Sequence, residues 1–209
     1  MASLRSALDK MYINEGGWTI DQGGKTYKGI SRKGWPGWAG WVVIDKFFAA
    51  GGRIKKEGVI PGTLGQQLEV MCDAFYTKNY WAPIKGDKII NQDVANFLFD
   101  FFIPSNKAIA IINGICGNKG ASVLTDDTIA KINKSPQVYY PIIKKARREY
   151  FIYLSTLNKQ NAQSLAGWLN RLKKFPDAVA APLASLVPLA AAVPLAGTTA
   201  IIGIASIFF

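Results

Sequence analysis

The feature that most narrows what this chain can fold into is where its helix breakers fall. From Asn91 onward the pattern is almost wholly helical, and it is cut only by Pro104, by Gly117 and by capping residues. It reads as a helix over Asn91–Phe102, broken near Pro104, and a second that stops at Gly117. Thr125 or Asp126 can cap a third, Pro136 stands near the start of a long one over 135–158, and a last one covers 162–175. Upstream, Leu4, Leu8, Met11 and Tyr12 share one helix face behind the capping residue Ser3. Further helices are expected from Ala39 to Ala50, ended by Gly51-Gly52, and from about Leu64 to Asn79. Only Gly16–Ser31 departs from this, with glycine pairs and short β-prone pieces that predict a small hairpin lobe. The fold class is therefore mainly α: an α+β helical body with a hairpin lobe near residues 16–31, plus an apolar C-terminal tail.

An apolar share of 49% and an aromatic share of 12% are enough for a packed core. The absence of histidine removes Ser-His-Asp and Cys-His nucleophile pairs, the HExxH metal helix and imidazole-based zinc sites. Cys72 and Cys116 lack CxxC spacing and read as buried thiols in helices. No metal and no cofactor is expected, which leaves carboxylate, lysine or tyrosine chemistry, or no chemistry at all. A net charge of +11 calls for an anionic partner: nucleic acid, a membrane surface or an acidic wall polymer. No RNP-like, helix-turn-helix or zinc pattern appears, so nucleic acid is set aside.

The chemistry concentrates in Asn14–Ser31. Glu15 is expected at the C-terminal end of the first helix, where Gly16-Gly17 can turn the chain and leave the carboxyl open to a cleft. A bare glutamate there is disfavoured by the helix dipole, so its placement asks for a reason. Aromatic shielding raises a glutamate's pKa and lets it deliver a proton to a leaving oxygen. Trp18, Trp35, Trp38 and Trp41 can provide that shield or stack on sugar faces, and most of them are expected in the core. Asp21 is the obvious second carboxylate or else an Asx-type turn residue, and Thr26 either holds a water or serves as a strand residue. Asp100, on an otherwise apolar face, would be costly to bury unpaired and is expected to accept structural hydrogen bonds. The run Lys144–Glu149 reads as a solvated helix face.

These residues carry a resemblance. The motif Glu15-Gly16-Gly17-Trp18…Asp21-Gln22-Gly23-Gly24-Lys25-Thr26-Tyr27-Lys28-Gly29-Ile30 resembles the E-G-G-(Y/F)…D-x-G-G-x-T-x-x-G-I signature of glycoside hydrolase family 108. Its members are bacterial and phage N-acetylmuramidases of lysozyme-like fold. The order Glu, Asp, Thr is also similar to the catalytic arrangement of phage-type lysozymes. The resemblance implies Glu15, Asp21 and Thr26 as catalytic residues, with Trp18, Tyr27, Trp35, Trp38, Tyr80 and Trp81 as substrate-binding candidates. The family carries a longer loop than the five residues between Glu15 and Asp21, which implies a displaced Asp21. It further implies a catalytic segment over 1–90, closed by a stretch like Tyr76–Ile89, and a helical segment over 91–177 of the kind labelled peptidoglycan-binding, packed into the same body. In that second segment Ile111-Ile112-Asn113 stands where a Leu-Gln pair is usual.

The expected function is hydrolysis of the β-1,4 bond between N-acetylmuramic acid and N-acetylglucosamine in peptidoglycan, as in a phage-type endolysin. A lytic transglycosylase and an inactive wall-binding or structural module of the same fold are the alternatives. Residues 178–209 form the third segment. No charge follows Asp177, and Pro182, Pro188 and Pro194 each lead a repeated Pro-Leu-Ala. The uncharged stretch exceeds the roughly 20 residues that cross a bilayer core. Membrane association through residues 183–209 is therefore expected, with Lys173 and Lys174 keeping the body on the cytoplasmic side. The start lacks the pattern of a secretory signal, which points to synthesis in the bacterial cytoplasm.

Overall fold

The computed structural model describes residues 1–21 and 24–181, with Asn14, Glu15 and Asp21 described through their backbones. The expected membrane-associating residues 183–209 lie outside the described residues. The chain divides into two compact units, one of Leu4–Trp81 and one of Met1–Ser3 with the chain from Ala82 onward.

The first unit opens with α1 (Leu4–Glu15), whose Ala7, Leu8 and Met11 are buried as their helical spacing demands. Three antiparallel strands follow: β1 (Trp18–Asp21), β2 (Gly24–Tyr27) and β3 (Ile30–Ser31). Their register pairs Trp18 with Tyr27, Thr19 with Thr26, Ile20 with Lys25 and Asp21 with Gly24. Alternation puts Trp18, Ile20, Lys25 and Tyr27 on one face, where Trp18 and Tyr27 are buried while Ile20 and Lys25, nearer the hairpin tip, are exposed. Two helices complete the unit, α2 (Gly40–Ala49) and α3 (Gly62–Tyr76), the latter continuing as a π-helical turn over Thr77–Trp81. At the start of α3 a Cβ on Gly65 would stand 1.9 Å from the Ile60 carbonyl oxygen, so only glycine lets the loop lie on the helix there.

The second unit contains α4 (Gln92–Phe102), α5 (Ala108–Ile115), α6 (Asp126–Lys134), α7 (Pro136–Leu157) and α8 (Lys159–Lys173). Its caps follow chain chemistry: Asn91 accepts from Asp93 and Val94 N–H, Thr125 from Thr128 N–H, and Asn158 from Asn161 N–H. Asn113, in the departing Ile-Ile-Asn stretch, is buried and hydrogen-bonded through both its amide nitrogen and its amide oxygen. Its Nδ2 donates to Val123 O at 2.9 Å, and its Oδ1 accepts from Thr128 Oγ1 at 2.7 Å. Cys72 lies within α3 and Cys116 just beyond α5; both are buried, free, and raised by burial, Cys72 to about 12 and Cys116 to about 11. Among the described residues no helix is long and apolar enough to cross a membrane.

Asp100 fulfils its expected structural part. It accepts from Arg147 Nη2 at 2.7 Å and from Arg171 Nη2 at 2.7 Å. The expectation of a solvated Lys144–Glu149 run fails at two positions. Arg147 is fully buried, its guanidinium 5.2–5.3 Å from the ring centroids of Phe97, Phe101 and Phe151. Lys144 donates to the carbonyls of Phe175 and Pro176 and pairs with Asp177 at 2.7 Å. The helical period explains this, since Tyr140, Ile143, Arg147, Tyr150 and Phe151 share one buried face while Lys145 and Arg148 point outward.

Candidate active site

The Glu15 end of α1 is built by its glycines. Gly16 adopts φ 64°, a left-handed conformation that ends the helix, and its N–H still reaches Tyr12 O at 3.1 Å. Gly17 then passes so close to a second chain segment that a Cβ would stand 2.1 Å from the Gly58 carbonyl oxygen. Trp18 N–H donates to that oxygen at 2.7 Å, Glu57 N–H donates to Trp18 O at 2.7 Å, and Lys28 N–H donates to Gly17 O at 2.8 Å. An acid stands before a glycine pair because the chain must turn out of the helix and at once thread between two other backbones. Glu15 therefore sits at a fixed point.

Charge fixes the helix itself. Arg5 bonds Asp9 Oδ1 at 2.9 Å and reaches Asp73 at 3.3 Å and Glu69 at 3.5 Å, so α1 is tied to α3. Lys28, held at φ 47° and nearly buried, pairs with Glu69 and lies 4.3 Å from the centroid of the Tyr12 ring. Tyr76 Oη donates to Lys28 O at 2.7 Å and fixes that strained turn. Tyr12 Oη is buried with no hydrogen-bond partner among the described residues, and burial first, then the nearby Cys72, Asp73 and Glu69, pushes its pKa well up. Desolvation raises Asp73 too, against the pull of Arg5. These partners commit Glu69 and Asp73 to α1.

The sequence-derived candidates fall into distinct places. Glu15 is the last residue of α1 and Asp21 the last of β1, next to the hairpin tip. Thr26 lies in β2 opposite Thr19, half-buried, on the sheet face away from Tyr27. Tyr27 is buried, and its hydroxyl accepts from Ile60 N–H at 3.4 Å; burial raises that phenol to about 12. Trp81 is buried as well. Trp18 packs on Phe48 with ring centroids 5.1 Å apart and borders a recess of about 600 Å³ shared with Ile20, Lys25 and Arg53.

Trp35, Trp38 and Tyr80 gather around Phe75, with centroids at 4.9, 6.3 and 5.9 Å from it. Trp35 is 39% exposed, and with Trp38, Phe75, Lys78 and Asn79 it lines a recess of about 420 Å³. Trp41 Nε1 anchors this wall by donating to Trp35 O at 2.9 Å. Behind it Arg32 clasps Asp45 through two bonds of 2.6 and 2.7 Å, which hold the Asp45 carboxyl below its usual range. An aromatic face with flanking amide and ammonium groups can stack on a sugar ring and hydrogen-bond its substituents. Phe75, Lys78 and Asn79 were not legible as lining residues, since only the return of α3 brings them beside Trp35. Among the described residues no group of His, Cys, Asp and Glu could hold a metal ion.

An acid ending the first helix, followed at once by a small antiparallel sheet in a mainly helical chain, fits the lysozyme-like α+β fold that the sequence implied. Residues 8–105, a segment that holds the whole Glu15–Ile30 motif, match the family described as Glycosyl hydrolase 108. Among solved structures, that of Brucella abortus SagA is similar in fold, with a TM-score of 0.50 at 20% identity. The similarity covers 82% of this chain and 94% of that one. No curated protein matches the chain.

Proposed function

We propose that the protein is a peptidoglycan hydrolase of N-acetylmuramidase type, cleaving the β-1,4 bond between N-acetylmuramic acid and N-acetylglucosamine. The observation that carries this reading is the clamped glycine turn. It holds Glu15 at the end of α1 and leads straight into a hairpin bearing Asp21 and Thr26, within the segment that matches glycosyl hydrolase 108. In this reading Glu15 gives its proton to the leaving glycosidic oxygen, and the Trp35–Trp38 wall is a face on which a sugar can stack. The basic chain, at net charge +11, is drawn to the anionic wall. A wall-contacting role for residues 91–177, membrane association through residues 183–209 and a place in phage-driven lysis extend the same proposal.

Glu15→Gln removes the transferable proton with little change of shape. The variant is expected to keep its melting temperature and to lose at least ~10²-fold in hydrolysis of purified peptidoglycan, since a positioned general acid contributes 10²–10⁴. Near-normal hydrolysis by Glu15→Gln would sink the assignment. Borohydride reduction of the products gives the bond specificity: reduced muramic acid is expected, reduced glucosamine would make the enzyme a glucosaminidase, and 1,6-anhydro ends a transglycosylase.

A further inference from the structure

A second acid–glycine pair lies against the first. Glu57-Gly58 is the segment that pins the Glu15 turn: the Glu57 Cγ stands 3.3 Å from where a Cβ on Gly16 would be. Gly16 follows Glu15 directly, and neighbouring Cα atoms are about 3.8 Å apart. The Glu57 backbone is locked by its own N–H to Trp18 O and by Gly58 N–H to Lys55 O at 2.9 Å. Glu57 holds φ 63°, a left-handed conformation that glycine or asparagine fills with less strain, and its side chain is exposed. Such outliers gather at functional sites, and here the strained residue is an acid whose Cβ and Cγ lie against the Glu15 turn.

We propose that Glu57 is the second carboxylate of the hydrolysis, a reading that rests on the muramidase proposal above. The other acids of the unit are elsewhere or engaged. Glu69, Asp73 and Asp9 bind Arg5 or Lys28, and Asp45 binds Arg32. Asp21 lies three residues along β1 from Trp18, about 10 Å at 3.3–3.4 Å per residue, whereas Glu57 bonds to Trp18 itself. Among the described residues the Glu57 carboxylate has no ion pair and no hydrogen bond, so it is free to receive a water. In the step, the water oxygen bonds to the anomeric carbon as the glycosidic C–O bond breaks. Glu57 takes the water proton while Glu15 gives its own to the leaving oxygen, and solvent then returns a proton from Glu57 to Glu15. Direct attack by water inverts the anomeric configuration.

The test uses the full chain and purified peptidoglycan. Glu57→Gln should lose at least ~10²-fold in kcat with its melting temperature retained, since a positioned base contributes as much as a positioned acid. Glu57→Gly, which suits the left-handed backbone, should be as inactive and should regain activity with sodium azide. Azide needs no base to attack, and the product should be the α-glycosyl azide, identified by NMR. A structural role for Glu57 would produce neither rescue nor that product. Activity of Glu57→Gln within a few-fold of the parent, or azide rescue of Asp21→Gly in place of Glu57→Gly, overturns the proposal. An active Glu15→Gln instead defeats the muramidase reading itself, so the two failures are told apart.

Discussion

Gly17 is the position where one methyl group has the most to disrupt. Its Cβ would meet a backbone carbonyl oxygen at 2.1 Å, and backbone cannot swing aside as a side chain can. Gly17→Ala must therefore move the Gly58 segment or the end of α1, at about 1–3 kcal/mol, the usual range for overpacking. Either movement loosens the turn that follows Glu15. The expected outcome is a lowered midpoint in urea together with a loss of hydrolysis larger than the stability change accounts for. Activity equal to the parent would mean that the Gly17–Gly58 contact does not fix the acid. The motif Glu15-Gly16-Gly17 was legible in the sequence as a helix end and an acid. Its reason was not, because the partner segment lies 40 residues away and Glu57-Gly58 looks like any surface turn. The aromatic residues show the same limit: Trp18, Trp35 and Trp38 look alike in sequence, and only the fold buries Trp18 against Phe48 of α2 while leaving Trp35 part-exposed beside Phe75 of α3.

At the level of elements, α4, α7 and α8 meet around one carboxylate and two guanidinium groups. Asp100 and Arg147 are both buried, and Nε and Nη1 of Arg147 have no hydrogen-bond partner among the described residues. Burial pulls the Arg147 pKa down and Asp100 opposes that pull. Removing the shared acid strands a buried cation between phenylalanine rings, whereas removing Arg171 leaves the Asp100–Arg147 pair intact. Asp100→Asn should therefore cost about 3–5 kcal/mol in chemical denaturation, and Arg171→Ala clearly less. Equal costs would mean that Arg171 carries the cluster. Helix boundaries at this scale followed local chemistry, with Thr125 as a cap, Pro136 at a start and Gly117 past an end, and these were readable in advance. The inward turn of Lys144 and Arg147 was not, because a run of like charges hides the helical register that decides which members face the core.

For the whole molecule, the contrast between a basic body and an uncharged tail carries the remaining prediction. Described structure continues past the last charge: Val179 is buried, and Ala180 and Ala181 line a recess of about 190 Å³ with Ile90, Val94, Ile132 and Pro136. A cut after Asp177 would open that recess, so the informative truncation ends at Ala181. Residues 183–209 carry no charge and exceed the roughly 20 residues that span a bilayer core. Under the proposal they associate with membrane and leave hydrolysis to the body. The full chain is then expected to float with phosphatidylethanolamine–phosphatidylglycerol vesicles at 0.5 M salt, where screening confines exposed-charge attraction to a few ångströms. The chain ending at Ala181 should bind the same vesicles only at low salt, through its basic surface, and should digest purified peptidoglycan at the parental rate. Flotation of both chains at high salt would place the membrane affinity in the body. An unfolded or inactive truncation would make the tail part of the fold, and the membrane proposal would fall with it.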